Sequence, residues 1–167
     1  MNIHPALVHF PIAFFSLYAF LEVLRFRAFT NLPFWFYTKA VVLFAGVLSA
    51  PVVLLSGKVS EDLLASDPYI GSIVEKHEFF AFLSCGIFGI LFLAYVIVWY
   101  AKYKKEKGII LESNLVGFVE KFLDKYAWIF AILGFVCILI TASLGGLMVY
   151  GPNNDPVLQM VYSIFVK

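Results

Sequence analysis

The sequence predicts an all-α integral membrane protein, built as a four-helix up-down bundle with short interfacial helices. Of its 167 residues, 62% are hydrophobic and only 14% are charged, whereas soluble domains are about half apolar and about a quarter charged. The mean hydropathy of +0.92 is typical of a chain buried in membrane lipid. A net charge of +1 argues against a nucleic-acid partner, because displacing phosphate counterions needs a basic surface.

Four stretches are long and apolar enough to cross a bilayer core, which takes about 20 helical residues. We expect these helices, within one domain over residues 1–167, at about residues 6–24, 35–55, 79–99 and 127–150. Ser113–Tyr126 carries its apolar residues on one helical face and predicts an interfacial helix. A further apolar tail helix is expected at 156–166, with Asp155 as its N-cap and Pro156 as its first helical residue.

Basic residues cluster in the first and third connections between these helices, whereas the second connection is mostly acidic. Lys and Arg mark the cytoplasmic side of a membrane protein. We therefore expect a multi-pass protein of the inner or plasma membrane with both termini outside, on the periplasmic side. Glu22 and Arg25 are interpreted as an ordinary i, i+3 pair at the inner end of the first helix, with Lys39 reaching the interface.

Two histidines, His9 and His77, lie early in the first and third predicted helices. Both helices run inward from the outer face, so the two side chains lie at similar depth on diagonal partners. Since neighbouring helix axes are about 8–10 Å apart, the diagonal gap is wide enough for a flat macrocycle. Two facing neutral imidazoles suit the axial positions of a haem iron. The sequence therefore predicts one haem b with His9 and His77 as its iron ligands.

A short internal match supports this pair of histidines. An alanine and a serine follow each histidine at offsets of four and seven residues, on one helical face: Ala13 and Ser16, then Ala81 and Ser84. We interpret the match as a weak parallel repeat of helices one and two by helices three and four; the alternative is chance, because these residue types are common here. Glycines at helix ends and bases for the haem propionates complete the predicted cofactor-binding set: Gly145, Gly146, Lys58 and Lys76.

The third histidine, His4, lies five residues before His9 and therefore about 140° round the helix. We expect it at the surface or in a supporting position rather than on the face of His9. Met148 is an alternative axial ligand, but packing explains it more simply. The sequence has no Ser-His-Asp set, phosphate-binding loop or paired carboxylates, so we expect no catalysis by this chain alone.

Three functions from different classes follow from these observations. The leading one is an electron-transfer protein or subunit whose haem lies near the outer face, within reach of a periplasmic cytochrome or a quinol oxidoreductase. The second is a cofactor-free structural or assembly subunit held among other membrane subunits. The third is a protein that binds a quinone or small solute through His9 or His77.

The opening segment Ile3–Ile12, IHPALVHFPI, resembles the bacterial and archaeal family of predicted four-helix membrane proteins known as domain of unknown function 2231. The resemblance includes the His77 region and Leu144–Tyr150, and so spans most of the chain. It implies a four-helix membrane fold without a defined activity. Family members often carry a histidine after the Gly-Gly segment, where this chain has Gly-Pro-Asn at 151–153. This departure leaves one bis-histidine site rather than two.

Overall fold

The computed structural model describes residues 3–64, 68–109, 113–153 and 155–166. All the regular secondary structure in these ranges is helical. In chain order the helices are α1 (His4–Leu7), α2 (His9–Val23), α3 (Arg27–Thr30), α4 (Trp35–Leu64), α5 (Pro68–Glu106), α6 (Asn114–Tyr150) and α7 (Pro156–Phe165).

Four helical stretches in the described chain are long and apolar enough to cross a membrane: His4–Val23, Trp35–Val59, Ile70–Glu106 and Asn114–Tyr150. The predicted all-α membrane fold is therefore confirmed. Helix α5 has 39 residues and α6 has 37, which correspond to about 58 Å and about 55 Å of helix. A bilayer core is only about 30 Å thick, so both helices extend beyond it.

The separate interfacial helix predicted at Ser113–Tyr126 is wrong, because this segment is the first part of α6. Ser113 is the N-cap, and its hydroxyl accepts a hydrogen bond from the Leu115 amide at 3.3 Å. The buried stripe of α6 then continues without interruption at i, i+4 spacing, through Val119, Leu123, Ala127 and Ala131. Because this stripe packs against one core along its whole length, the helix continues without a break.

The other predicted boundary signals behave as expected. Asp155 caps α7, since its carboxylate accepts a hydrogen bond from the Val157 amide at 2.7 Å, and Pro156 is the first helical residue.

The break between α1 and α2 follows from Pro11, which has no N–H to donate to the Leu7 carbonyl four residues earlier. The first span is therefore two short helices placed end to end.

The four long helices form a bundle in which α2 packs against α4 and α6, and α5 packs against the same two helices. Helices α2 and α5 are thus diagonal, and their aromatic side chains meet in the core. We call the end that carries His4 and His77 the histidine end. The opposite end, with Arg25, Lys104 and Lys125, is the basic end. Helix α7 folds back onto α6 near the histidine end.

Candidate functional site

His77, on α5, is half-buried against α6 at the histidine end. Its Nδ1 lies 2.9 Å from the Thr141 carbonyl oxygen. A carbonyl oxygen only accepts, so Nδ1 carries the hydrogen and the neutral ring presents its lone pair at Nε2. One turn further along α6, a Cβ added to Gly145 would lie 3.4 Å from the imidazole Cε1. The ring therefore lies directly against a helix that has no side chain there.

His4, on α1, is held in the same way against α4. Its Nδ1 lies 2.9 Å from the Ser56 hydroxyl, which itself donates to the Val53 carbonyl at 2.9 Å. Because the single hydroxyl hydrogen points to Val53, the serine oxygen accepts from His4, and Nδ1 again carries the hydrogen. A Cβ added to Gly57 would lie 3.2 Å from the His4 Cε1. The two histidines therefore have the same tautomer and the same kind of helix surface beneath them.

The carbonyl residues and glycines that hold the two rings occupy corresponding positions. Val53 precedes Gly57 by four residues on α4, as Thr141 precedes Gly145 on α6, and the Val53 carbonyl is itself within hydrogen-bonding range of the His4 ring. His4 and His77 are close enough to interact electrostatically. The site is thus a pair of equivalent imidazoles, one from each half of the chain.

A second layer, deeper in the bundle, repeats the same correspondence. Phe15 follows His4 by eleven residues and Phe88 follows His77 by eleven, which is about three helical turns. The two rings stack at 4.2 Å between centroids with an interplanar angle of 7°. Each ring lies on a glycine of the next long helix, because a Cβ at Gly46 would be 2.6 Å from Phe15 and one at Gly134 would be 2.8 Å from Phe88. The halves are therefore related by a pseudo-two-fold axis between the stacked rings.

The structure contains the predicted correspondence between helix pairs, but in a different register. It pairs His77 with His4, whereas the sequence interpretation paired His77 with His9. His9 is an exposed side chain on α2. The five-residue offset explains this, since a ring about 140° from His4 must face away from Gly57 when His4 faces it. His4, which we expected at the surface or in a supporting position, is half-buried against α4.

The predicted residues of the first half do not line the histidine pair as a group. Ala13 is exposed, Ser16 is half-buried, and Lys58 is exposed next to Gly57. The role of Ala13 and Ser16 in binding a cofactor stays a prediction, and it depends on His9 rather than on His4.

The predicted residues of the second half lie closer to the site. Lys76 is half-buried beside His77, Ala81 is half-buried one turn further along α5, and Ser84 is buried with its hydroxyl donating to the Ala81 carbonyl at 2.8 Å. Gly145 lies against the His77 ring. Gly146 does not, because a Cβ there would instead lie 3.1 Å from Leu158 of α7.

The residues that sequence reasoning missed are His4 and the α4 positions against which it packs. The sequence does contain two glycines eleven residues apart in each half, but the eleven-residue spacing from His77 to Phe88 is matched both by His4 and Phe15 and by His9 and Phe20, so it does not select His4. The match of alanine and serine after His9 and His77 favoured the other register, although the structure aligns His77 with His4.

A family model described as a predicted membrane protein of domain of unknown function 2231 matches residues 1–153. The chain belongs to this family. The match includes His4, His77 and the four glycines that lie against histidine or phenylalanine rings, and it ends before α7. No curated protein matches this DUF2231 chain, and no solved structure does. Its membership and its four apolar helices make it a multi-pass membrane protein in contact with lipid.

Proposed function

We propose that this DUF2231 protein binds one haem b between His4 and His77 and transfers electrons through it. The observation that carries the proposal is the equivalence of the two imidazoles, each fixed by an Nδ1 hydrogen bond and each lying on a glycine. The haem supplies a one-electron redox couple. His4 and His77, one from each half of the chain, are the residues that would hold the haem.

The tautomer of the two rings supports this donor set. A histidine that binds a metal usually donates its other ring N–H to a carbonyl or similar acceptor, which fixes the ring and raises its basicity. His77 does this through Thr141, and His4 does it through Ser56 and Val53. In both neutral rings Nε2 then carries the lone pair that an iron ligand needs.

The number of donors also favours a haem over a bare metal ion. Among the residues that the structure describes, no group of three or more His, Cys, Asp or Glu side chains is placed to hold a metal ion. A haem iron takes four ligands from its porphyrin and needs only two from the protein. Two histidines therefore supply all the protein ligands that a haem iron needs.

The distribution of charge supports an orientation with the histidine end outside. The basic end carries Arg25, Arg27, Lys107 and the lysines at the adjoining ends of α5 and α6, and such residues favour the cytoplasmic side. The proposed haem then lies near the outer face, where a periplasmic cytochrome or quinol oxidoreductase can exchange electrons with it. Lys58 and Lys76, beside Gly57 and His77, are the bases proposed to meet the propionates.

The experiment is a visible spectrum of the detergent-purified protein, oxidised and then reduced with dithionite. We expect low-spin haem bands in the wild type, and their loss in His4→Ala and His77→Ala, because either change removes an axial ligand. His9→Ala is the matched control: it removes the same side chain from an exposed position of the same span, and we expect an unchanged spectrum.

The alternatives give different results in the same experiment. Loss of the bands in His9→Ala with retention in His4→Ala would restore the ligand pair predicted from the sequence. A wild-type protein that stays colourless after haem is added would show that the haem proposal is wrong. Co-purifying subunits would then favour an assembly role, and quinone binding that depends on His77 without a haem spectrum would favour the third function.

A further inference from the structure

A cleft of about 570 Å³ lies between α6 and the first turn of α7, near the histidine end. Three small α6 residues, Ala142, Ser143 and Gly146, form its floor, and Leu139 and Tyr150 are the first and last α6 residues that line it. The distance between these two along the helix is about 16 Å. Pockets that bind small molecules have volumes of about 300–1,000 Å³, so the cleft is large enough for a ligand.

The wall of the cleft opposite the α6 floor is the first turn of α7. Val157 and Leu158 line it, and Leu158 lies over the α6 floor, since a Cβ added to Gly146 would be 3.1 Å from its side chain. The outward surface of α7 is apolar, because Val157, Met160 and Ile164 are all exposed. In a membrane protein an exposed apolar helix face of this kind contacts lipid. The cleft therefore opens to lipid along its length.

Asp155 is the charged residue among those that line the cleft, and it lies beyond the end of α6, where the span ends. Its Oδ1 accepts hydrogen bonds from the Val157 amide at 2.7 Å and the Leu158 amide at 3.4 Å. Both described bonds use the same oxygen, so Oδ2 keeps its capacity to accept. The Ser143 hydroxyl, by contrast, donates to the Leu139 carbonyl of its own helix at 2.8 Å. The cleft thus combines an apolar channel with one carboxylate at its outer end.

We infer that this cleft binds one phospholipid with a primary-amine head group, of the phosphatidylethanolamine class. The ammonium of the lipid binds the Asp155 carboxylate, and one acyl chain lies along the α6 floor. Charge complementarity selects this occupant, since Asp155 is negative and the connection between α4 and α5 at the same end is mostly acidic, which disfavours an anionic head group. The site is separate from the proposed haem and does not depend on it.

The chemistry of the head group distinguishes this lipid from the other common phospholipids. A primary ammonium has three N–H donors, and a charge-assisted hydrogen bond to a carboxylate is about twice as strong as a neutral one. A choline head group carries the same positive charge but no N–H, and a glycerol head group has no amine at all. An ion pair at an exposed carboxylate is weak, so we expect a preference for the ethanolamine lipid of about two- to fivefold.

The test is native mass spectrometry of the detergent-purified full chain, mixed with phosphatidylethanolamine, phosphatidylcholine and phosphatidylglycerol that carry the same acyl chains. We expect the wild type to retain the first lipid in preference to the other two. Asp155→Asn should lose this preference, because asparagine caps α7 equally well but has no charge. Glu120→Gln is the matched control: it removes the same charge from an exposed position on α6 at the basic end, and we expect the wild-type preference.

Ala142→Phe tests the channel separately from the carboxylate. Ala142 is exposed in the floor of the cleft, so the new ring occupies the space of the acyl chain without displacing the core, and we expect binding of the ethanolamine lipid to fall several-fold. Circular dichroism and the melting temperature show that each variant is folded. Equal retention of the three lipids by the wild type, an unchanged preference in Asp155→Asn, or undiminished binding in Ala142→Phe would each overturn the inference.

Discussion

At the residue scale, glycines decide how the bundle is assembled. Four of them lie beneath ring side chains, at Gly46, Gly57, Gly134 and Gly145. Small residues let helices approach closely in a membrane, where no hydrophobic force drives them together. In this chain they also determine which rings meet, because each glycine accepts one histidine or one phenylalanine.

The deeper pair of glycines gives a direct test. We expect Gly46→Ala and Gly134→Ala to lower the free energy of unfolding by about 1–3 kcal/mol each, since the new Cβ would be 2.6 Å from Phe15 or 2.8 Å from Phe88. Unfolding of the purified protein by heat or denaturant measures the change. Gly86→Ala is the control, because nothing lies within 4 Å of a Cβ there.

In the control we expect unchanged or slightly higher stability, because alanine is the better helix former by about 1 kcal/mol. Equal stability of Gly46→Ala and Gly86→Ala would contradict the layered packing. A Phe15→Leu change combined with Gly46→Ala should recover part of the loss if the clash with the ring is its cause.

Among the helices, α7 is the one that lies outside the family match. It begins after residue 153, where the family match ends. Its Leu158 lies over Gly146, and its Val161 packs with Ile73, Leu144 and Leu147. Helix α7 therefore covers the outside of the α5–α6 pair without contributing to the interface that holds His77.

We predict that a chain ending at Asn153 still inserts and folds, with a lower melting temperature and an unchanged spectrum of any haem it binds. The reason is that the residues uncovered by the truncation are apolar and face lipid instead, which exchanges one apolar neighbour for another. Circular dichroism on heating and the visible spectrum measure the two properties.

Gly146→Leu provides an independent check, since its side chain would occupy the space of Leu158 and displace α7 without shortening the chain. A truncated protein that fails to insert, or a changed spectrum in both variants, would mean that α7 is part of the site after all.

At the scale of the whole molecule, the two ends of the bundle differ in charge and in chemistry. The histidine end has the paired imidazoles, and the basic end has the buried Glu22 network among lysines and arginines. This asymmetry is the basis for the proposed orientation. It is independent of whether a cofactor is bound.

Cysteine labelling of intact cells tests the orientation. In a Cys85→Ala, Cys137→Ala background, we expect Asn153→Cys to react with a membrane-impermeant maleimide, and Lys105→Cys to react only after the membrane is permeabilised. Both positions are exposed, and they lie at opposite ends of the bundle. The two cysteines therefore differ only in the side of the membrane from which the maleimide can reach them. The opposite pattern would place the histidine end in the cytoplasm and leave the pairing of His4 with His77 unaffected.

The four membrane helices could be predicted from the sequence, because crossing a bilayer depends on local length and hydropathy. The Asp155 cap and the charge difference between the two ends could be predicted for the same reason, because both depend on local sequence. The exact ends of the helices could not be predicted. Val119 and Leu123 continue the buried stripe of α6 only because α5 lies beside them.

The partner of His77 and the environment of Glu22 were decided by the tertiary structure alone. A membrane helix is apolar on all sides, so its sequence does not show which face turns inward, and the preference for His9 over His4 rested on a short internal match. Only the packing of α1 onto Gly57 selected His4. Likewise, Arg25 is near Glu22 in the sequence, but Lys39 and Tyr95 reach it from other helices. The sequence determined which segments enter the membrane, and the contacts between helices determined which side chains meet there.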